Sequence, residues 1–358
     1  MNIGIIGFQT SGKTTVFTAL TGIEPRDAAR TKTNIAVVKV PDPRVDALVE
    51  HAQPKKIVHA TVEYVDLAGM DRPDTGGKAG LGDAQLAALA NTEALLVVIR
   101  AFDDGAGIPV DVPGDIEAVN LELYLTDLQK IENRLPRLEK TIGKVSGAEQ
   151  ERSKIEKSAL EKVKDALENN RPVRSVPLSD AEEKSIRGFT FLTAKPMLVL
   201  INTGEKDLPR GNDILKDCGL SERTGDVIHT ALCARIESEI ALLPQDERAD
   251  FLKNYNISEP GAGRVIRLCH ELLGAITFFT VGPKEVHAWT LLKGSTALQA
   301  AGKIHSDIER GFIRAEVVPW DKLIHAGGFP QARKNADLRL EGKEYIVQDG
   351  DIVHILCN

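Results

Sequence analysis

Residues 7–14 of the chain read G-F-Q-T-S-G-K-T and fit G-x-x-x-x-G-K-[ST] at every position. The pattern suits a phosphate. Its glycines let backbone N–H groups turn inward, and the helix that follows points its positive end at the anion. Lys13 is placed to bridge the β- and γ-phosphates and Thr14 to ligate Mg²⁺, with Thr10, Ser11, Gly12 and Thr15 completing the cradle. Further along, Asp66-Leu67-Ala68-Gly69 forms a D-x-x-G at the end of an apolar run. Asp66 is expected on the metal and the Gly69 N–H at the γ-phosphate, so Lys13 and Gly69 are the catalytic positions. The next residue, Met70, replaces the glutamine with which many GTPases orient the attacking water, so intrinsic hydrolysis should be slow. Gly76, Gly77, Gly80 and Gly82 follow closely, as in a loop that orders on the γ-phosphate. In A-R-T-K-T-N-I, Thr31 is taken as the second metal ligand, with Thr33 as the alternative.

The base should be read by V-L-I-N-T-G-E, Val199 to Glu205. A guanine site places N-K-x-D here. This chain keeps Asn202 but has Thr203 for the lysine and Glu205 for the aspartate. Losing the aspartate removes the acceptor pair for guanine, while Asn202 can still meet N6 and N7 of adenine. ATP is therefore the expected nucleotide and GTP the alternative.

These residues need an α/β scaffold. Candidate strands are Asn2–Gly7, Ile35–Val40, Ile57–Asp66 and Ala94–Ala101, with Met197–Asn202 and Val227–Ala231 later in the same sheet. Helical stretches fall at Lys13–Leu20 and Ala84–Asn91, and this alternation indicates a mainly parallel sheet. The excursion from Asp115 to Phe189 differs in character. Leu121, Leu125, Leu128, Ile131, Leu135 and Leu138 recur at helical spacing among charged residues, and a second amphipathic stretch covers Glu149–Asn169. The two form a helical hairpin, with Pro136 as a point of kinking; it either packs only on itself or serves as a partner-binding arm. The chain is then helical to about Gly274, with a break at P-G-A-G. The last segment reads as a separate β-rich module, with Ala297–Arg310 helical and Gln348–Asp351 as a hairpin turn. The division expected is 1–114 with 190–275 for the nucleotide domain, 115–189 for the hairpin and 276–358 for the module.

A net charge of −7 argues against unpatterned nucleic-acid binding, and no DNA partner is expected. No apolar run is long enough to span a membrane. The four cysteines are widely spaced, and the N-terminus has no basic leader, both of which fit a reducing, cytoplasmic setting. The eight histidines show no metal-binding spacing; His287 and His305 draw notice only by their place in the terminal module. Trp289 and Trp320 are expected to be packing residues.

Together these residues resemble the YchF-type Obg-like ATPases, a branch of the translation-factor class of P-loop NTPases. V-P-D-P-R at Val40–Arg44, D-L-A-G-M at Asp66–Met70 and G-L-G-D at Gly80–Asp83 resemble that family's switch regions. N-T-G-E is similar to its N-x-x-E base motif, and C-A-R-I-E at Cys233–Glu237 to its base-backing loop, with Cys233 and Ala234 facing the nucleotide. Thr277–Thr290, Ala300–Val317 and Leu340–His354 resemble its TGS module. The resemblance implies a G-domain-like P-loop fold, an inserted coiled-coil hairpin and a β-grasp-like TGS domain. It also implies an Mg²⁺-dependent, ATP-preferring switch whose partner is the ribosome or a related RNA–protein assembly. A GTPase of similar role and a nucleotide-binding scaffold without turnover are the alternatives. The chain departs from the family in two places. Thr10 stands where the family has Asn, leaving potassium dependence open, and T-K-T-N replaces T-I-x-P-N, leaving the switch I ligand open.

Overall fold

The structure is a computed structural model that describes residues 1–24, 33–71, 80–103, 105, 107, 109–255, 257 and 259–358. Strand β1 (Asn2–Ile6) leads into α1 (Lys13–Thr21), followed by β2 (Asn34–Lys39), α2 (Pro43–Ala52), β3 (Lys56–Val58) and β4 (Thr61–Asp66). Then come α3 (Asp83–Ala90), β5 (Ala94–Ala101), the long helices α4 (Val112–Ile142) and α5 (Ala148–Glu168), and α6 (Asp180–Ile186). Next are β6 (Met197–Thr203), α7 (Ile214–Asp217), β7 (Arg223–Thr224), β8 (Val227–Leu232), α8 (Ala234–Leu242), α9 (Gln245–Asn254) and α10 (Gly261–Leu272). The remainder is β9 (Ala275–Val281), β10 (Glu285–Leu292), α11 (Ala297–Ile304), α12 (Ser306–Arg310), β11 (Phe312–Pro319), α13 (Trp320–Ala326), α14 (Phe329–Lys334), β12 (Arg339–Glu341) and β13 (Asp351–Cys357).

Packing divides the chain into two units, Met1–Ala36 with Tyr64–Ala262, and Val37–Glu63 with Gly263–Asn358. Residues 37–63 thus fall with the C-terminal module, whereas the sequence pattern suggested a nucleotide domain unbroken to residue 114. The reason is non-local. The stretch 57–66, expected to be one strand, breaks after β3, which pairs in parallel with β10 through Ile57 opposite Val286.

The first unit is built on a seven-stranded sheet ordered β2-β4-β1-β5-β6-β8-β7. The β1–β5, β5–β6 and β6–β8 pairs are parallel, and the short β7 pairs antiparallel with β8. Strands β5 and β6 are apolar through Ile99 and Ile201, and all seven residues of β6 are buried, as a central strand covered on both faces requires. Such a sheet collects the loops at the carboxyl ends of its strands on one edge, where ligands bind.

Helices α4 and α5 form the expected hairpin, but α4 faces two different cores. Val112, Val119 and Leu123 pack on the sheet, while Ile131 and Leu138 pack against Leu160 and Val163 of α5. Leu121 and Leu125, expected in the buried stripe, are therefore 50% and 52% exposed. Helix α4 runs unbroken through Pro136, where flanking Leu135 and Leu138 both belong to the hairpin core. Asp127, wholly buried on α4, anchors the hairpin base by accepting from the amides of Leu192 (3.0 Å) and Thr193 (2.8 Å) and from the Thr193 hydroxyl (2.8 Å).

The second unit has a six-stranded sheet ordered β12-β11-β13-β9-β10-β3, with Phe278, Leu291, Val317 and Val353 in its core under Ala297 and Ala300 of α11. The expected hairpin at Gln348–Asp351 does not form. The segment before it pairs instead with the start of α11: Ala297 donates to the Tyr345 carbonyl and Val347 to that of Ser295. Asp349 accepts from the Thr277 amide at 2.8 Å and from Arg44 at 2.7 Å. The helical stretch 297–310 also breaks, at His305, whose extended backbone and ring cap α12. Trp289 is partly buried, packs against the core and donates to Thr280.

Candidate nucleoside triphosphate site

The phosphate loop joins β1 to α1. Gly7 has φ +151°, and a Cβ there would lie 2.4 Å from the Val98 carbonyl oxygen of the next strand, so no other residue fits. Gly12 caps α1 in the left-handed conformation, with φ 86° and no side-chain hydrogen bond to the first-turn amides. Those amides remain for an anion. Thr10 is exposed with φ 62°, and the Ser11 hydroxyl is buried with no hydrogen-bond partner among the described residues.

Lys13 is 6% exposed and folds back over the loop, donating to the Phe8 carbonyl at 2.7 Å. Burial pulls its pKa down to about 8, with Asp66 opposing the shift. The lysine is thus held without a full counter-charge, and an incoming phosphate supplies one. Thr14 donates to Asp66 Oδ2 at 3.4 Å, and Asn34 reaches the same oxygen at 3.2 Å. The other oxygen, Oδ1, is buried with no hydrogen-bond partner among the described residues. Burial pushes the Asp66 pKa up, which is the position of a carboxylate that lacks a cation. An orphaned carboxylate oxygen beside a threonine hydroxyl fits Mg²⁺. Thr31, the expected second ligand, lies outside the described residues, as do Gly76 and Gly77; Thr33 is described and exposed.

Gly69 sits against this cluster: a Cβ there would lie 2.9 Å from Lys13 Nζ. The loop is stitched to β4 by Met70 donating to the Gly7 carbonyl (3.0 Å) and Gln9 to that of Met70 (2.9 Å). The Met70 side chain, 1% exposed, is locked in the sheet core. It cannot touch an attacking water. On the far side of the switch, Gln85 donates to the Ala68 carbonyl at 2.7 Å, and Leu81 donates to Glu122 of α4 at 3.2 Å.

A cleft of about 740 Å³ opens beside Gly12 and Thr15 at the carboxyl ends of β5 and β6. Asn202, Glu205 and Cys233 line it, together with Arg235 of C-A-R-I-E and with Phe102 and Asp103, which no motif had singled out. Phe102 follows β5 at the strand end where a base belongs, which is the signal that could have found it. Buried Arg100 braces its loop by donating to the carbonyls of Phe102 (3.3 Å) and Pro109 (3.1 Å). Asn202, expected to read the base edge, is 3% exposed and turned to the backbone. Its Nδ2 donates to the Ser11 carbonyl at 3.0 Å, and its Oδ1 accepts from the Ala234 amide at 3.0 Å. It ties the phosphate loop to the base-backing loop. Glu205 stays on the rim, its Oε1 3.2 Å from Arg235 Nε. Buried Cys233 precedes α8, with its thiol pKa pushed up by burial. Glu237 holds the start of α10, accepting from Gly261 at 2.7 Å and Ala262 at 3.2 Å.

A parallel sheet, a phosphate loop entering a helix, an aspartate beside the helix threonine and a base cleft at the strand ends define a P-loop nucleoside triphosphatase of the G-domain type. The model of the family YchF-GTPase_C, described as "Protein of unknown function (DUF933)", matches residues 275–358. The "Ribosome-binding ATPase YchF" of Haemophilus ducreyi is 41% identical over 99% of this chain and 98% of its own length. That of Bacillus subtilis is 37% identical over 100% of this chain and 99% of its own. The solved Schizosaccharomyces pombe YchF GTPase superposes with a TM-score of 0.84 at 31% identity, covering 99% of this chain and 97% of that one. The chain belongs to the YchF family.

Proposed function

We propose that this protein is an Mg²⁺-dependent, ATP-preferring hydrolase that acts as a nucleotide-controlled switch on the ribosome in the cytoplasm. The observation that carries the reading is full-length similarity to proteins named ribosome-binding ATPases, joined to a phosphate loop that is complete at every position. Among the described residues, no helix is long and apolar enough to cross a membrane.

Thr14 and Asp66 would hold the metal, which when bound neutralises charge on the phosphates. The first-turn amides of α1 and Lys13 bind the β- and γ-phosphates and stabilise the equatorial oxygens as the phosphoryl group transfers. Gly69, pressed against Lys13, carries the state of the phosphate into the loop that ends at Gln85 and Glu122. With the Met70 side chain in the core, the attacking water must be oriented by a backbone group or by a partner. Turnover is accordingly slow until the partner binds. The base lies over Phe102 in the 740 Å³ cleft, and Glu205 offers an acceptor to the adenine amino group.

The test is equilibrium binding of non-hydrolysable ATP and GTP analogues, in Mg²⁺ and in EDTA, with ribosome co-sedimentation in each nucleotide state. The reading expects tighter adenine binding that weakens in EDTA, and ribosome association that changes with the nucleotide. Tighter guanine binding, or co-sedimentation indifferent to nucleotide, would contradict it.

A further inference from the structure

The base cleft contains an ion pair that its sequence motif does not mention. Arg235 Nε stands 3.2 Å from Glu205 Oε1 and 3.6 Å from Glu239 Oε1, and both Arg235 and Glu205 line the cleft. We infer that Arg235 sets the base preference by partly neutralising the carboxylate of Glu205. The inference rests on the proposed reading of this cleft as an ATP site.

Guanine offers two donors, N1–H and N2–H, and a carboxylate discriminates for it by taking both on its two oxygens. With a guanidinium 3.2 Å from Oε1, the charge of the carboxylate is partly neutralised, which weakens it as an acceptor for that pair of donors. Adenine asks less of it, since adenine presents a single N6–H beside its N1 acceptor. Guanine binding must compete with Arg235 for the carboxylate. Both members are well exposed, at 75% and 45%, so the pair is a modest one and its effect should be modest too. The glutamate alone is therefore not an adenine reader: the same N-T-G-E with a neutral residue at position 235 would be a more tolerant site.

The experiment measures the ratio of ATP-analogue to GTP-analogue affinity, which cancels the common triphosphate term, in four proteins. These are the full-length wild type, Arg235→Ala, Glu205→Gln and the double variant. Expected is an adenine preference in the wild type that falls about fivefold in Arg235→Ala through tighter guanine binding. In the Glu205→Gln background, the arginine change should leave the ratio as it is, because the charge it neutralised is gone. The inference is overturned by an unchanged ratio in Arg235→Ala, by a shift towards adenine, or by an equal shift in both backgrounds. A wild type that prefers guanine, or binds neither base, instead overturns the ATP reading beneath it.

Discussion

Asn202→Ala separates a base reader from a strut. The side chain is 3% exposed, and its amide spans the Ser11 carbonyl and the Ala234 N–H, each at 3.0 Å. Truncation leaves both backbone groups buried without that partner, at about 1–3 kcal/mol each, so the total is about 2–6 kcal/mol. The cost falls on folding stability and on the relative placement of the phosphate and base loops. If half falls on binding, Kd rises about fivefold to a hundredfold. The decisive quantity is how the loss divides. A strut holds the loops for any nucleotide, so adenine and guanine analogues should weaken by the same factor in calorimetric titration. A loss confined to adenine, shifting the ratio by tenfold, or about 1.4 kcal/mol, would refute the strut and restore Asn202 as the base reader.

Three further outcomes follow from the geometry. The Lys13 pKa of about 8 is raised when phosphate binds, so binding takes up a proton only above that pH; Kd should be flat from pH 7 to 8 and climb up to about tenfold per unit beyond, whereas a flat profile to pH 9 would contradict the uncompensated lysine. Asp127→Ala strips an acceptor from two buried amides at the hairpin base and should lower unfolding free energy by about 2–6 kcal/mol in urea titration. Glu122→Ala removes the acceptor for the Leu81 amide and should slow turnover about two- to tenfold with ADP affinity unchanged, while Glu122→Gln, which keeps an acceptor, should restore the rate.

What was legible in the sequence is what local physics dictates. The phosphate loop, α1, the apolar strands β5 and β6 and the charged, leucine-spaced hairpin each announce themselves within a short window. The rest depends on partners far along the chain. No local pattern shows that Lys56–Val58 will pair with β10 and draw residues 37–63 into the C-terminal unit. Nor does one show that Asp349 will be taken by Thr277 and Arg44, leaving a turn where a hairpin seemed due. Arg44 itself, in V-P-D-P-R, is held between Asp42 (2.8 Å) and Asp349 (2.7 Å), which makes that motif a brace of the second unit. The role of Asn202 was hidden for the same reason, since its partners lie 191 and 32 residues away.

The central claim is ATP hydrolysis at this phosphate loop. It is tested most directly by phosphate release from ATP and from GTP, by the full chain with Mg²⁺, beside Lys13→Ala. Slow release that favours ATP and disappears with the lysine is the result expected. Release favouring GTP, or release that survives Lys13→Ala, would contradict it.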